Sequence, residues 1–210
     1  MVCPPVCRCL LHYRCSEHRM SALGLVLLFS ALTICLASDI RKEVFSAVKS
    51  GDADLIRVIL DLNKDSVGSF INERDSGSGQ TPLMMAVLMG KVEVVRALLA
   101  VEVVDASIGE KDGYTPLHGA GFQGRAEVAR LLLADRRNLD PRAKHRDGFS
   151  PLHRACWGGE ARHTETVAVL VQQGGVPHNQ KSGKGTTCLQ ITTNSGTKKW
   201  LRDWASKSDL

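Results

Sequence analysis

Three segments of similar sequence recur at a nearly constant interval, and this recurrence constrains the fold more than any other feature of the chain. "TPLMMAVLMGKVEVVRALL" begins at Thr81, "TPLHGAGFQGRAEVARLLL" at Thr115 and "SPLHRACWGGEARHTETVAVLV" at Ser150. Their starting points are 34 and 35 residues apart. A period in this range predicts a linear array of short supersecondary units, each of which packs against its neighbours.

Each segment predicts two short helices joined by a turn. The hydroxyl of Thr81, Thr115 or Ser150 can accept hydrogen bonds from free N–H groups at the start of the first helix. The proline that follows occupies the first helical position, where no N–H is needed. The second helix carries apolar residues at helical spacing, as at Val94 and Leu98. A single unit cannot bury this apolar face, whereas stacked neighbours can.

The motif T-P-L-H-x-A stands in the chain as "TPLHGA" at Thr115 and, with serine first, as "SPLHRA" at Ser150. These units resemble ankyrin repeats over about Asp75–Gly175. The resemblance implies an all-α repeat solenoid of about three full repeats with short β-hairpin-like turns between degenerate end repeats. The predicted domains are a signal peptide or signal anchor (1–37), an N-terminal cap repeat (38–74), ankyrin repeats (75–182) and a C-terminal cap repeat (183–210).

Three features depart from the full repeat pattern. The cap segments lack T-P-L-H, and Leu201 and Trp204 are expected to complete the last core face. The first repeat has Met84 where the family has histidine, which removes a hydrogen bond that braces the hairpin. The third repeat has additional residues around Glu160 to Arg162, which we expect in the turn between its two helices. Such an insertion is either tolerated variation or a lip on a binding surface.

The N-terminal segment combines a group of cysteines with an apolar stretch. Four cysteines stand close together there: Cys3, Cys7, Cys9 and Cys15. Their spacing matches no paired-knuckle zinc pattern. The uncharged apolar segment Met20–Ser38 follows three arginines and predicts a secretory signal peptide, or an uncleaved anchor that spans a membrane. A helix packed on the array, or a translation start at Met20, is the alternative explanation. We therefore expect the secretory pathway or a membrane, reached through residues 20–38, with the cytoplasm as the alternative.

Composition and motifs argue against nucleic-acid binding and catalysis. The formal net charge of +5 is too small to indicate a nucleic-acid surface. "KSGKGTT", from Lys181 to Thr187, departs from the phosphate-loop pattern G-x4-G-K-[ST] at two positions. The sequence contains no G-x-S-x-G, H-E-x-x-H or paired zinc knuckle. We expect no catalytic residue, no metal site and no cofactor.

His153, Cys156 and His163 form the densest group of candidate nucleophiles and metal ligands. The resemblance gives each of them a scaffold role. His153 is the histidine of T-P-L-H, Cys156 fills a small buried position as a packed thiol, and His163 is the family's histidine at the start of the second helix. The distribution of the seven cysteines does not predict a disulfide framework.

Protein binding is therefore the predicted function. Ankyrin repeats hold protein partners on a concave side, which is formed by the hairpin tips and the exposed side of each first helix. Register places eight candidate contact residues there: Tyr114, Phe122, Phe149, Arg154, Trp157, Met85, Leu88 and Met89. Aromatic residues, Met and Arg are enriched at interfaces. For Phe149 and Tyr114 in particular, packing against the neighbouring repeat is the alternative.

A second candidate surface is a basic patch: Arg136, Arg137, Arg142, Lys144 and Arg146. It is either a solvated loop or a contact for an acidic protein or an anionic lipid. The sequence thus predicts a monomeric, non-catalytic adaptor or scaffold that binds an unidentified protein and no nucleic acid. The alternative is a membrane-tethered or lumenal structural anchor within a complex.

Overall fold

The computed structural model describes residues 40–110, 113–135 and 139–208. All of them belong to the unit Asp39–Leu210. The helices are α1 (described over 40–50), α2 (Ala53–Leu62), a 3-10 turn (Val67–Ser69), α3 (Pro82–Met89), α4 (Val92–Leu99), α5 (Pro116–Gln123), α6 (Ala126–Ala134), α7 (Pro151–Cys156), α8 (Ala161–Gln172), α9 (Cys188–Ile191) and α10 (Ser195–Ser208). An isolated antiparallel bridge joins Lys181 to Thr187. The predicted all-α repeat fold is confirmed.

The first helix of each full repeat begins where the sequence predicts. Thr81 Oγ1 accepts a hydrogen bond from Met84 N–H at 3.1 Å, and Pro82 occupies the first position of α3. The same helix ends at Gly90, whose φ of 68° lies in the left-handed region that glycine adopts at little cost. Helix α5 is capped in the same way, by Thr115 at its start and by Gly124 in the left-handed region at its end.

The helices form two layers. The inner layer consists of α3, α5, α7 and α9, which contact one another in succession, and the outer layer of α2, α4, α6, α8 and α10. Leucines from both layers are almost fully buried between them: Leu83, Leu117, Leu152, Leu98, Leu132 and Leu170. One continuous apolar cluster extends from Val44 in α1 to Leu201 in α10. Each repeat therefore completes its core only with its neighbours.

A polar side chain from the following repeat covers the end of two of the inner helices. A Cβ built on Gly90 would lie 2.6 Å from Arg125 Cζ, so the guanidinium covers the C-terminus of α3. In the third repeat His163 takes this place, and its Nε2 donates to the Phe122 carbonyl at 3.2 Å. A cation or an N–H donor at a helix C-terminus complements the macrodipole and the free carbonyl groups.

The additional residues of the third repeat lengthen a helix. Helix α8 has 12 residues, whereas α4 has 8 and α6 has 9. Glu160 is the N-cap of α8, and Ala161 and Arg162 form the beginning of its first turn. The connection between the two helices, residues 157–160, has four residues where the other full repeats have two, so the expected longer turn is present, but Ala161 and Arg162 lie in the helix and not in the turn. Ala and Arg are good helix formers, and an ion pair of 2.6 Å between Arg162 and Glu160 holds this turn.

In the C-terminal cap repeat, the start of the first helix is capped as in a full repeat, but by different residues. Gln190 replaces the histidine, and its Oε1 accepts a hydrogen bond from Thr187 N–H at 2.8 Å. Leu201 is 2% exposed and packs in the core, as predicted. Trp204 is half-buried against the same core and stacks on Trp200, with ring centroids 5.4 Å apart.

A row of alternating charges crosses the outer layer. Its members are Asp54 and Arg57 of α2, Glu93 and Arg96 of α4, Glu127 and Arg130 of α6, and Glu165 of α8. The ion pairs range from 2.5 Å, between Arg57 and Asp54, to 3.9 Å, between Arg96 and Glu127. Each arginine contacts a carboxylate of its own helix and one of the next helix. The row therefore connects four consecutive repeats through exposed pairs, each of which contributes about 0.2–1 kcal/mol.

The segment predicted as a signal peptide or anchor, residues 1–37, lies outside the described residues. Within the described ranges, no helix is both long and apolar enough to cross a membrane.

Candidate functional site

The histidines of the T-P-L-H motif link consecutive repeats. His118 Nδ1 accepts a hydrogen bond from Thr115 N–H at 3.3 Å, and its Nε2 lies 3.2 Å from the Phe149 carbonyl in the next hairpin. A carbonyl only accepts, so Nε2 carries the proton and the ring is neutral. His153 makes the equivalent link to the Gln180 carbonyl at 3.2 Å. The motif therefore braces the following hairpin.

Burial keeps these rings neutral. Desolvation lowers the pKa of His118 to about 4, and it also lowers the pKa of His153. Both side chains are fully buried. In the described residues, no three His, Cys, Asp or Glu side chains are grouped so that they could hold a metal ion. These histidines have scaffold partners for both ring nitrogens.

Cys156 and Cys188 form a disulfide bond that joins α7 to α9. Their Cα atoms are 5.5 Å apart, and both side chains are fully buried. The prediction of a packed thiol at Cys156 is therefore wrong. The sequence signal was weak because Cys188 stands where a full repeat has proline, in a cap that lacks the motif. Only the alignment of α9 with α7 brings the two cysteines together.

Arg154 lies at the centre of an aromatic cluster beneath the concave side. Its guanidinium carbon is 4.7 Å from the ring centroid of Trp157 and 5.3 Å from that of Tyr114. It is 5.9 Å from the ring centroid of Phe149, which contacts Trp157 edge to face at 4.7 Å. Arg154 Nη2 donates to Asp147 Oδ2 at 2.5 Å. The cation thus holds three rings in place while Asp147 balances its charge.

Burial divides the predicted contact set into two groups. Met85 is 6% exposed, and Phe149 and Arg154 are each 8% exposed. Tyr114 is half-buried, and its hydroxyl donates to the His118 carbonyl at 3.2 Å. Burial raises the pKa of Tyr114 to about 12. Register predicts the side of a helix on which a residue lies, but not its depth. Arg154 and Phe149 contact the Trp157 ring and therefore support the surface from below.

The remaining predicted residues form an exposed row across three repeats. Phe122 is 49% exposed, Met89 41% and Trp157 39%, and Leu88 is half-buried. Leu88, Phe122 and Trp157 occupy the same register in the first, second and third repeat. We call Leu88, Met89, Phe122 and Trp157 the apolar track. A row of exposed apolar side chains in one register is a candidate binding surface.

Three exposed lysines stand on the hairpins at the C-terminal end of the track: Lys144, Lys181 and Lys184. Lys184 Nζ lies 5.6 Å from the ring centroid of Phe149, which contacts Trp157. None of the three lysines forms an ion pair with a carboxylate in the described part of the chain. Sequence reasoning missed Lys181 and Lys184. The signal was present, because Lys181 holds the same hairpin position as Lys144, one repeat later.

Asp75 and Glu110 accept hydrogen bonds from neutral groups and keep their charge, whereas Asp147 is paired with a cation. Asp75 accepts a hydrogen bond from Ser78 N–H at 2.9 Å, and Glu110 accepts one from Gln80 Nε2 at 2.9 Å. Asp147 pairs with the central guanidinium. The hairpins that precede α7 and α9, which we call the third and fourth hairpins, therefore present mainly positive charge, which includes that of the three lysines.

The residues of the predicted basic patch differ in their environment where the structure describes them. Arg136 and Arg137 lie outside the described residues. Arg142 Nη2 donates to the Gly175 carbonyl of the next loop at 2.8 Å, which is a scaffold contact. Lys144 and Arg146 are exposed.

Comparison with known proteins gives the same architecture. No curated protein shows significant similarity to the chain. A family model described as ankyrin repeats (3 copies) matches residues 44–145 and 102–182. Together these ranges extend from within α1 to the hairpin before α9 and cover more than half of the chain. The chain belongs to the ankyrin repeat family.

Proposed function

We propose that the chain is a non-catalytic interaction module that captures a protein partner on its concave side. Ankyrin repeats generally mediate protein–protein interaction. The apolar track is the observation that carries the proposal: Phe122 and Trp157 expose 49% and 39% of their surface in successive repeats. Scattered exposed apolar residues are ordinary, but a row in one register is the arrangement that a partner can cover.

The support beneath the track favours binding. Trp157 is held between the Arg154 guanidinium and the Phe149 ring, so its orientation is set before a partner arrives. A preorganised aromatic side chain loses little conformational entropy on binding. Truncation of such an anchor at an interface typically costs about 1–4 kcal/mol of binding free energy. Phe122 and Trp157 are the residues for which we expect losses of this size.

Site-specific photo-crosslinking in cells tests the proposal. A photoreactive phenylalanine analogue replaces Trp157 in the full chain. The matched control carries it at Leu62, which is 78% exposed on the outer helix α2. We expect a discrete adduct from position 157 that disappears when Phe122→Ala is added, and none from position 62. Equal adducts at both positions, or none at position 157, would contradict the proposal. Thermal melts check that the variants remain folded.

A second candidate is a lumenal or extracellular structural anchor, and the Cys156–Cys188 disulfide favours it. Structural disulfides persist in oxidising compartments and are rare in the cytosol. Cells quenched in acid and alkylated before digestion allow the two cysteines to be mapped by mass spectrometry. A bonded Cys156–Cys188 peptide at full occupancy is expected for this candidate, and alkylated thiols at both positions would rule it out.

A further inference from the structure

We infer that the partner segment is an acidic amphipathic α-helix that lies along the apolar track, with carboxylates over Lys144, Lys181 and Lys184. This inference rests on the proposed function, because it specifies the chemistry of the protein that the concave side captures.

The spacing of the track selects a helix over a β-strand. Leu88, Phe122 and Trp157 stand on or at the end of successive inner helices that pack directly against each other. Packed helix axes lie about 8–10 Å apart. Seven residues of an α-helix rise about 10.5 Å and return to nearly the same face. A strand repeats its face every two residues, at about 6.6 Å or 13 Å, and fits this interval poorly.

The apolar character of the track also selects against an extended or polyproline backbone. Such a backbone leaves its N–H and C=O groups unpaired, and burying them without hydrogen bonds is costly. Leu88, Met89 and Phe122 have no strong hydrogen-bonding side-chain atom to offer, and Trp157 has only its indole N–H. A helix satisfies its backbone internally and can lay one apolar face on the track.

The charges next to the track define the polar part of the partner. Lys144, Lys181 and Lys184 are exposed and pair with no carboxylate in the described ranges. Asp147, which stands among them in the hairpins, is neutralised by Arg154. Carboxylates on the partner would gain attraction from the three lysines, whereas a basic segment would be repelled. The partner helix is therefore acidic where it lies over the third and fourth hairpins.

Selection from a displayed library of random 20-residue peptides tests the inference, because it lets the concave side choose the chemistry of its own ligand. The full chain is the bait, and its Phe122→Ala/Trp157→Ala variant serves for counter-selection. We expect enriched peptides to carry apolar residues at i and i+7 and an excess of Asp and Glu. Synthetic copies should gain helical circular dichroism on binding.

Charge variants of the bait complete the test. We expect Lys144→Gln/Lys181→Gln/Lys184→Gln to weaken binding of the selected peptide at least about tenfold and to flatten its salt dependence, as loss of close charge pairs predicts. The matched control is Lys199→Gln/Lys207→Gln in α10, where both lysines are exposed. It should leave affinity unchanged.

Several outcomes would overturn the inference: enrichment of proline-rich or basic peptides, no enrichment at all, or equal effects of the triple variant and its control. The crosslinking experiment separates this failure from failure of the proposed function. If position 157 still crosslinks a cellular protein, the concave side binds a partner of other chemistry. If it does not, both proposals fail.

Discussion

Replacing both Cys156 and Cys188 with alanine should lower the free energy of unfolding by about 3.7 kcal/mol. The two cysteines are 32 residues apart in sequence, and the bond between them closes a loop of that length in the unfolded chain. The loop-closure relation for a loop of this size gives about 3.7 kcal/mol at 25 °C. Alanine fits both sites because they are fully buried and apolar.

Calorimetry of the full chain measures this loss. For a chain of this size, about 2–4 °C of melting temperature corresponds to 1 kcal/mol, so the midpoint should fall by about 7–15 °C. Reductant should have a similar effect on the parent chain. The double variant with and without reductant is the control, since it reports what reduction of the other cysteines does. Amide exchange should show that α9 and α10 lose protection first, because the bond joins α9 to α7.

Two results would refute this reasoning. If the oxidised parent chain contains free thiols at Cys156 and Cys188, the pairing itself is wrong. If the bond is present and its removal leaves the melting temperature unchanged, the C-terminal cap must keep its order in the unfolded chain. The explanation from loop entropy then fails.

Three further predictions concern the scaffold. The pKa of His118 is about 4 in the folded protein and about 6.5 in the unfolded chain. Its contribution to the free energy of unfolding is therefore complete above pH 6.5 and is lost as the pH falls towards 4. Urea unfolding should show that His118 lowers the free energy of unfolding by about 2 kcal/mol between pH 7 and pH 5. The His118→Met variant should lack this part of the pH dependence. Gly90→Ala should lower the free energy of unfolding by at least about 1 kcal/mol, because its φ of 68° is strained for alanine and the Arg125 guanidinium would have to move from the new Cβ. Gly159→Ala is the neutral control, since no atom lies within 4 Å of its Cβ position and its φ is not positive. Arg130→Ala should lower the free energy of unfolding by less than about 1 kcal/mol, and by almost nothing in 1 M NaCl, since its two ion pairs are exposed. A loss that salt does not change would show that the side chain acts by packing instead.

The repeat pattern predicted most of the fold because its residues act locally. Thr81 caps its helix and Gly90 ends it through contacts within one unit, so a single repeat contains the information. The burial of Met85 could not be read in this way. Met85 and Met89 lie four residues apart in α3, yet one is 6% and the other 41% exposed, so helical spacing alone does not give their depth. The disulfide was missed because it joins two units.

In the proposed binding mode, the residues that support the apolar track differ from those that would contact a partner. The Arg154–Asp147 ion pair is only slightly exposed at the arginine, and removing Asp147 would leave a buried cation unpaired among the aromatic rings. Because the pair is internally balanced, it contributes little net charge, and we propose that the exposed lysines of the hairpins set the charge that a partner would meet. Changes in the support should therefore alter stability and binding together, whereas changes at Phe122 should alter binding alone.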